Sequence, residues 1–173
     1  MRISASSHDR LAFWGEVYGY DMSAVREEAR KETLADAAVE LVPAASLLSP
    51  SSAFRSVHMA QAQDAELDFT TDFALAASTA GTLRCFAVHF DTLFDLQPAG
   101  GQTSSFSTAP DCPPTHWKQV ALYLESPREL QAGDRMSGSI SCARRKDNKR
   151  AYDVSVTFAI NGTACGTQLW RVC

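Results

Sequence analysis

The chain has 173 residues, of which 45% are apolar and 21% charged, with a formal net charge of −4. That length supports one hydrophobic core, alone or with an appendage, and the composition is that of an ordinary globular domain. No run of about 18 uncharged apolar residues occurs, which excludes a membrane-spanning helix, and the opening Met1–Asp9 stretch has no apolar segment, so no secretory signal is expected.

Residues 22–41 are predicted to be helical: Met22, Val25, Ala29, Leu34, Ala38 and Leu41 recur near a three-to-four-residue spacing, and Glu27 and Lys31 stand four apart. Asp21 or Ser23 can cap the start and Pro43 marks the stop. The apolar stripe is thin and rich in alanine, which suits close approach to another surface better than filling a large core.

From residue 54 the period becomes two. Val57 and Met59 alternate, as do Phe69, Phe73, Leu75 and Ala77 after a short irregularity. Leu83–Phe94 is apolar on both faces, the pattern of a strand buried on two sides. The stretch 97–114 is rich in Pro, Gly, Ser and Thr; connections of that length are usually functional or disordered. Val120, Leu122 and Leu124 alternate again, and Met136, Gly138, Ile140 and Cys142 follow. Residues 142–150 carry five basic side chains and one acidic one, whereas 1–48 carry five and eight and 49–141 five and ten. With Asp147-Asn148 at its centre and strand-like runs on either side, the basic stretch is read as a solvated hairpin tip, and the acidic body favours basic partners. Tyr152, Val154, Val156, Phe158 and Ile160 interleave with polar residues as a half-buried strand, and Asn161-Gly162 supplies a tight turn into Thr163–Val172. The predicted fold class is therefore mainly β: an antiparallel barrel or sandwich with a short helical arm near its N-terminus.

Chemistry-bearing residues are sparse. Cys85, Cys112, Cys142, Cys165 and Cys173 form no C-x-x-C pair and are expected to be reduced thiols filling apolar space in a cytoplasmic or nuclear protein. They match no zinc template with His58, His89 or His116, and no metal site is expected. No nucleophile elbow and no glycine-rich nucleotide loop occurs, and the Asn161-Gly162-Thr163 sequon falls in a predicted turn. His116-Trp117 stands where a loop becomes a strand; loops often carry function, although a lone histidine there is ordinarily structural.

Two further segments add a resemblance. Val17-Tyr18-Gly19-Tyr20-Asp21-Met22-Ser23 resembles the opening of the dimerisation arm of type I protein arginine N-methyltransferases. Phe106-Ser107-Thr108-Ala109-Pro110, followed by Thr115-His116-Trp117-Lys118-Gln119, resembles that family's approach to its Thr-His-Trp loop. Cys85–Phe94 and Tyr152–Asn161 resemble intervening and late barrel strands, so that the likeness runs over essentially the whole chain.

The resemblance implies residues 1–15 as a first barrel strand, 16–48 as a helical dimerisation arm and 49–173 as a substrate-side β-barrel. It implies that His116 orients polar groups at the border of an active site, that Trp117 forms its wall and that Thr115 fixes the loop. Tyr18, Tyr20, Met22, Val25, Leu34 and Leu41 are the implied arm contacts. No residue here corresponds to the family's glycine-rich cofactor loop or its paired glutamates. S-adenosylmethionine is thus implied for the intact enzyme and not for this chain, which is expected to be inactive alone. The implied partners are arginine-rich protein substrates and a homodimer or heteromer formed through the arm, with asymmetric dimethylation as the family product and no direct role for nucleic acid or membrane. The other readings are a non-catalytic regulatory or assembly module that pairs with a full-length methyltransferase, and an unrelated β-sandwich binding domain. In a chain without a cofactor domain, the arm is expected to expose apolar surface, to be mobile, or to pack back on the barrel.

Overall fold

Period-two alternation governs most of the chain, and most of the chain is strand. The computed structural model describes residues 1–5, 13–95 and 101–172. In chain order its strands are β1 (Arg2–Ser4), β2 (Glu16–Val17), β3 (Tyr20–Asp21), β4 (Ala38–Glu40), β5 (Phe69–Ala76), β6 (Gly81–Val88), β7 (Asp91–Phe94), β8 (Ser104–Ser107), β9 (Gln119–Leu130), β10 (Arg135–Arg144), β11 (Tyr152–Ile160) and β12 (Thr163–Val172). Helix α1 (Ser23–Ala35) lies between β3 and β4.

The long strands form two antiparallel sheets, ordered β1-β6-β9-β4 and β12-β11-β10-β5, and two short ribbons, β2-β3 and β7-β8, stand outside them. Val154, Val156 and Phe158 of β11 are buried while Thr157 between them is exposed, as the alternation requires. Asn161 (φ 49°) and Gly162 (φ 81°) make the turn into β12 with both central residues left-handed. At Gly138 the need is space: opposite Phe158 in the β10–β11 ladder, an added Cβ would lie 2.0 Å from the carbonyl oxygen of Thr157.

The sheets face each other across one core. Phe86 meets Phe73 edge-on at 5.9 Å between ring centroids and Phe158 at 5.3 Å, the arrangement that aromatic quadrupoles favour. Leu83, Leu122, Leu130, Val156 and Trp170 complete this centre. Along one side the sheets are joined through the start of β4: the Ala37 amide donates to the Arg171 carbonyl at 2.8 Å, and Arg171 pairs with Asp36 at 2.6 Å. The hydrogen-bonded ladders of the described residues remain two four-stranded sheets and not one closed ring.

Three local expectations are corrected. The predicted helix over 22–41 ends at Ala35, because Asp36 turns extended and Ala38–Glu40 finds backbone partners in Ala121–Gln119 of β9. Val57 and Met59 lie in no strand and are exposed, since nothing pairs with that segment. The apolar run Leu83–Phe94 divides at His89-Phe90 into β6, which is core, and β7, which turns out to pair with β8. The long connection thus contains a strand of its own, while residues 96–100 lie outside the described residues.

Candidate functional site

The Thr-His-Trp segment is a tight turn leading into β9. The Lys118 amide donates to the Thr115 carbonyl at 3.2 Å, and Lys118 adopts a left-handed φ of 56°. That geometry turns His116 and Trp117 outward together, with ring centroids 3.9 Å apart. Trp117 stacks on Phe106 of β8 at 5.4 Å, Phe106 stacks on Phe94 of β7 at 6.4 Å, and Phe90 packs edge-on against both Trp117 and Phe106 at 5.9 Å. The result is a continuous row of rings, His116–Trp117–Phe106–Phe94. Trp117 is 50% exposed, and Phe90, Leu93 and Phe94 are exposed as well, so the row forms an exposed apolar face of the kind that single scattered surface residues do not make.

Hydrogen bonds brace the row from beneath. The Phe90 amide donates to Thr108 Oγ1 at 3.0 Å, and the Thr108 amide donates to the Phe90 carbonyl at 3.0 Å. Thr108 and Gln119 are both buried; the Gln119 side-chain amide donates to the Thr108 carbonyl at 2.6 Å, and its carbonyl accepts from the Val42 amide at 2.8 Å. Thr115 Oγ1 is buried with no hydrogen-bond partner among the described residues.

Of the residues predicted from sequence, Thr115, His116 and Trp117 come together in this turn. Phe90, Phe94, Phe106, Thr108 and Gln119 share the site and were missed as site residues. A polar glutamine opening the apolar β9 run, and phenylalanines just before (Phe90, Phe94) and within (Phe106) the Ser/Thr-rich stretch, are the signals available for them.

Charge around the face is mixed. Arg2 pairs with Asp111 at 2.9 Å, and His89, deeply buried, has its Nε2 at 3.1 Å from Ser51 Oγ. Burial pushes the His89 imidazole below its ordinary range, and it pushes the Cys85 thiol up to about 12, which leaves Cys85 inert as a nucleophile. His58, His89 and His116 do not converge, and no cluster of three metal-binding side chains occurs among the described residues.

Behind the turn, a cavity of about 330 Å³ opens between the sheets, bounded by Val88, Val120 and Leu122 on one side and by Ile140, Cys142, Tyr152, Val154 and Val172 on the other. The segment 54–69 completes the lining and brings its charged members, Arg55 and Glu66; the walls are otherwise apolar and offer few of the hydrogen-bonding partners that S-adenosylmethionine, a polar cation, needs. Nor do the described residues hold a parallel strand–glycine-rich turn–helix unit, and the start of α1 is already engaged, with the Ser23 amide donating to Asp21 Oδ1 at 2.8 Å.

The arm residues divide into two groups. Tyr18, 97% exposed, and Tyr20, 72% exposed, stand at the tip of the β2–β3 ribbon, where Tyr18 (φ 54°) and Gly19 (φ 80°) form the turn. Val25 and Leu41 are exposed and Met22 is half-buried. Leu34 instead packs back on the body: it is 6% exposed and packs with Val42, Cys85, Ala87, Ala121 and Tyr123. The helix base is part of this chain's own core, because the turn into β4 brings it over β9, whereas the tip is exposed.

Residues 1–163 match the model of the arginine methyltransferase oligomerization subdomain. A probable protein arginine N-methyltransferase 1.2 of Arabidopsis thaliana is 30% identical over 157 residues, 91% of this chain and 41% of that protein. The ribosomal protein arginine N-methyltransferase rmt3 of Schizosaccharomyces pombe is 34% identical over 160 residues, 89% of this chain and 29% of that protein. Among solved structures, the Trypanosoma brucei PRMT1 enzyme-prozyme heterotetrameric complex with AdoHcy superposes with a TM-score of 0.83 at 28% identity, over 99% of this chain and 54% of the matched one. The chain spans less than half the length of these curated relatives. The chain therefore belongs to the arginine methyltransferase family and corresponds to its oligomerization subdomain.

Proposed function

We propose that this chain supplies the substrate-side wall and the pairing arm of an arginine methyltransferase site whose cofactor and carboxylates reside on another domain or subunit. The row His116–Trp117–Phe106–Phe94 carries this reading: it is an aromatic face, braced from behind and open in front. Methyl transfer to arginine is an in-line displacement, so the guanidinium must be held in near-attack geometry and its electron density drawn to one nitrogen. In that division of labour, Trp117 walls the pocket, His116 orients polar groups at its border, and Thr115 holds the turn through its backbone carbonyl, which accepts from the Lys118 amide. The net charge of −4 suits strongly basic, arginine-rich substrates.

The chain alone should neither bind S-adenosylmethionine nor methylate a Gly-Arg peptide. Mixed with a methyltransferase to which it binds, it should change that enzyme's rate, and His116→Ala should cancel the change while leaving folding intact. Turnover by the purified chain alone would refute the reading.

The match to an enzyme-prozyme assembly supports a second reading, in which the chain is a regulatory partner without a site of its own. The two separate on His116→Ala: a purely regulatory partner keeps its full effect on the enzyme, whereas a wall loses it.

A further inference from the structure

The bridge made by Gln119 links two regions that the functional reading treats separately. On one side is Val42, where the chain returns from the arm; on the other is Thr108, which ties the β7–β8 ribbon to the body. We infer that Gln119 is a positioning residue that couples the base of the arm to the aromatic face around the Thr-His-Trp turn. The inference rests on the reading that this face borders a site.

Three observations carry it. The path is continuous: the Val42 amide donates to Gln119 Oε1 at 2.8 Å, Gln119 Nε2 donates to the Thr108 carbonyl at 2.6 Å, and Thr108 and Phe90 exchange hydrogen bonds at 3.0 and 3.1 Å. The Phe90 ring then meets Trp117 at 5.9 Å. The path is dry: Val42, Thr108 and Gln119 are all buried, so a broken bond is not replaced by water without local opening. Finally, the chemistry at Gln119 admits one arrangement, because one neighbour is an N–H and the other a carbonyl. Only a side chain with an acceptor and a donor at its tip serves both.

Leu34 extends the path toward the arm, since it packs in the same buried cluster as Val42. A partner that orders the arm would thereby steady Val42, and through Gln119 the floor beneath Phe90 and Trp117. Assembly and site geometry would be coupled by one amide side chain.

Hydrogen exchange on the 173-residue chain tests this. In Gln119→Leu the amides of Phe90 and Thr108, and that of Val42, should exchange about tenfold faster, the ratio corresponding to one buried hydrogen bond. Those of Val154 and Val156 in β11 should keep their rates. Gln119→Glu separates the halves: its carboxylate still accepts from Val42 but cannot donate to Thr108. Phe90 and Thr108 should then speed up by a similar factor while Val42 stays protected, and this variant carries the test by itself if Gln119→Leu does not fold. Leu34→Ala should hasten Phe90 and Thr108 in the wild-type background and add nothing in Gln119→Glu. Unchanged exchange at Phe90 and Thr108 in the glutamate variant, or equal transmission from Leu34→Ala without the bridge, overturns the inference. Exchange requires no methyl transfer, so a chain that lacks any methyltransferase role but shows this pattern would sink the functional reading and leave the bridge standing.

Discussion

The indole Nε1 of Trp170, on β12, donates to the backbone carbonyl of Tyr123, on β9, at 2.9 Å, and so pins one sheet to the other through a residue with no exposed surface. The Gln168 side chain donates to the same carbonyl at 2.9 Å, and the Glu125 amide returns a bond to Gln168. Trp170 thus both fills core volume and satisfies a carbonyl at the junction. Trp170→Phe should lower stability by about 1–3 kcal/mol, the lost hydrogen bond plus a partial cavity. Urea denaturation should show a lower midpoint with an unchanged slope. An unaltered midpoint would mean that Gln168 alone holds the junction.

Gly138 is fixed by its neighbours' backbone. A methyl there would sit 2.0 Å from the Thr157 oxygen and 2.8 Å from the Phe158 Cα, neither of which can rotate away. Gly138→Ala should therefore part the β10–β11 ladder and cost about 3 kcal/mol or more, at the upper end of overpacking penalties. Circular dichroism melting checks it, with Ser139→Ala on the same strand as the control expected to shift the transition little. A stable Gly138→Ala protein would show that the ladder can slide at the nearby bulge between Phe158 and Ala159.

How much of this was legible in advance depends on how local each determinant is. The β11–β12 hairpin could be read because alternation and Asn161-Gly162 settle it within twenty or so residues. Strand β4 could not: Ala38–Glu40 continues the helical spacing before it, and only the distant edge offered by Ala121–Gln119 makes it extended. The same holds at the site. His116 and Trp117 are adjacent in sequence and were found, whereas Phe90, Phe94 and Phe106 join them only through the pairing of Asp91–Phe94 with Ser104–Ser107. Gln119 stands next to the motif, but its role depends on Val42 and Thr108, which no local pattern connects to it.

Asp68 stands between Leu67 and Phe69, two residues that line the cavity. Its carboxylate accepts from the Arg144 amide at 2.6 Å and from the Arg144 guanidinium at 3.0 Å, and these bonds hold its carboxyl below the usual carboxylate range. A group whose pKa is lower in the folded state contributes stability that is complete above its unfolded value, about 4, and is lost as pH falls through the lowered one. The pair is solvent-exposed, so its effect is local. The Arg144 amide resonance should shift with a midpoint below the ordinary aspartate value as the solution is acidified. Asp68→Asn should remove the transition; a midpoint at the ordinary value would show that the clamp is not formed.

The arm separates pairing from folding. Tyr18 and Tyr20 make almost no contact that their own chain could lose, since both are largely exposed. Changing both to serine should leave the unfolding free energy within about 0.5 kcal/mol of wild type, as surface substitutions do. Aromatic anchors in protein interfaces, by contrast, often carry more than 1 kcal/mol each. The double variant should therefore weaken assembly, with itself or with a methyltransferase partner, by at least about tenfold. Leu34→Ala reverses the pattern. Buried against Val42, Ala121 and Tyr123, its loss should cost about 2–4 kcal/mol of stability. Sedimentation velocity combined with urea denaturation on the two variants decides the matter. If the tyrosine variant unfolds early, or if Leu34→Ala weakens pairing without destabilising the fold, the boundary between arm tip and core has been drawn in the wrong place.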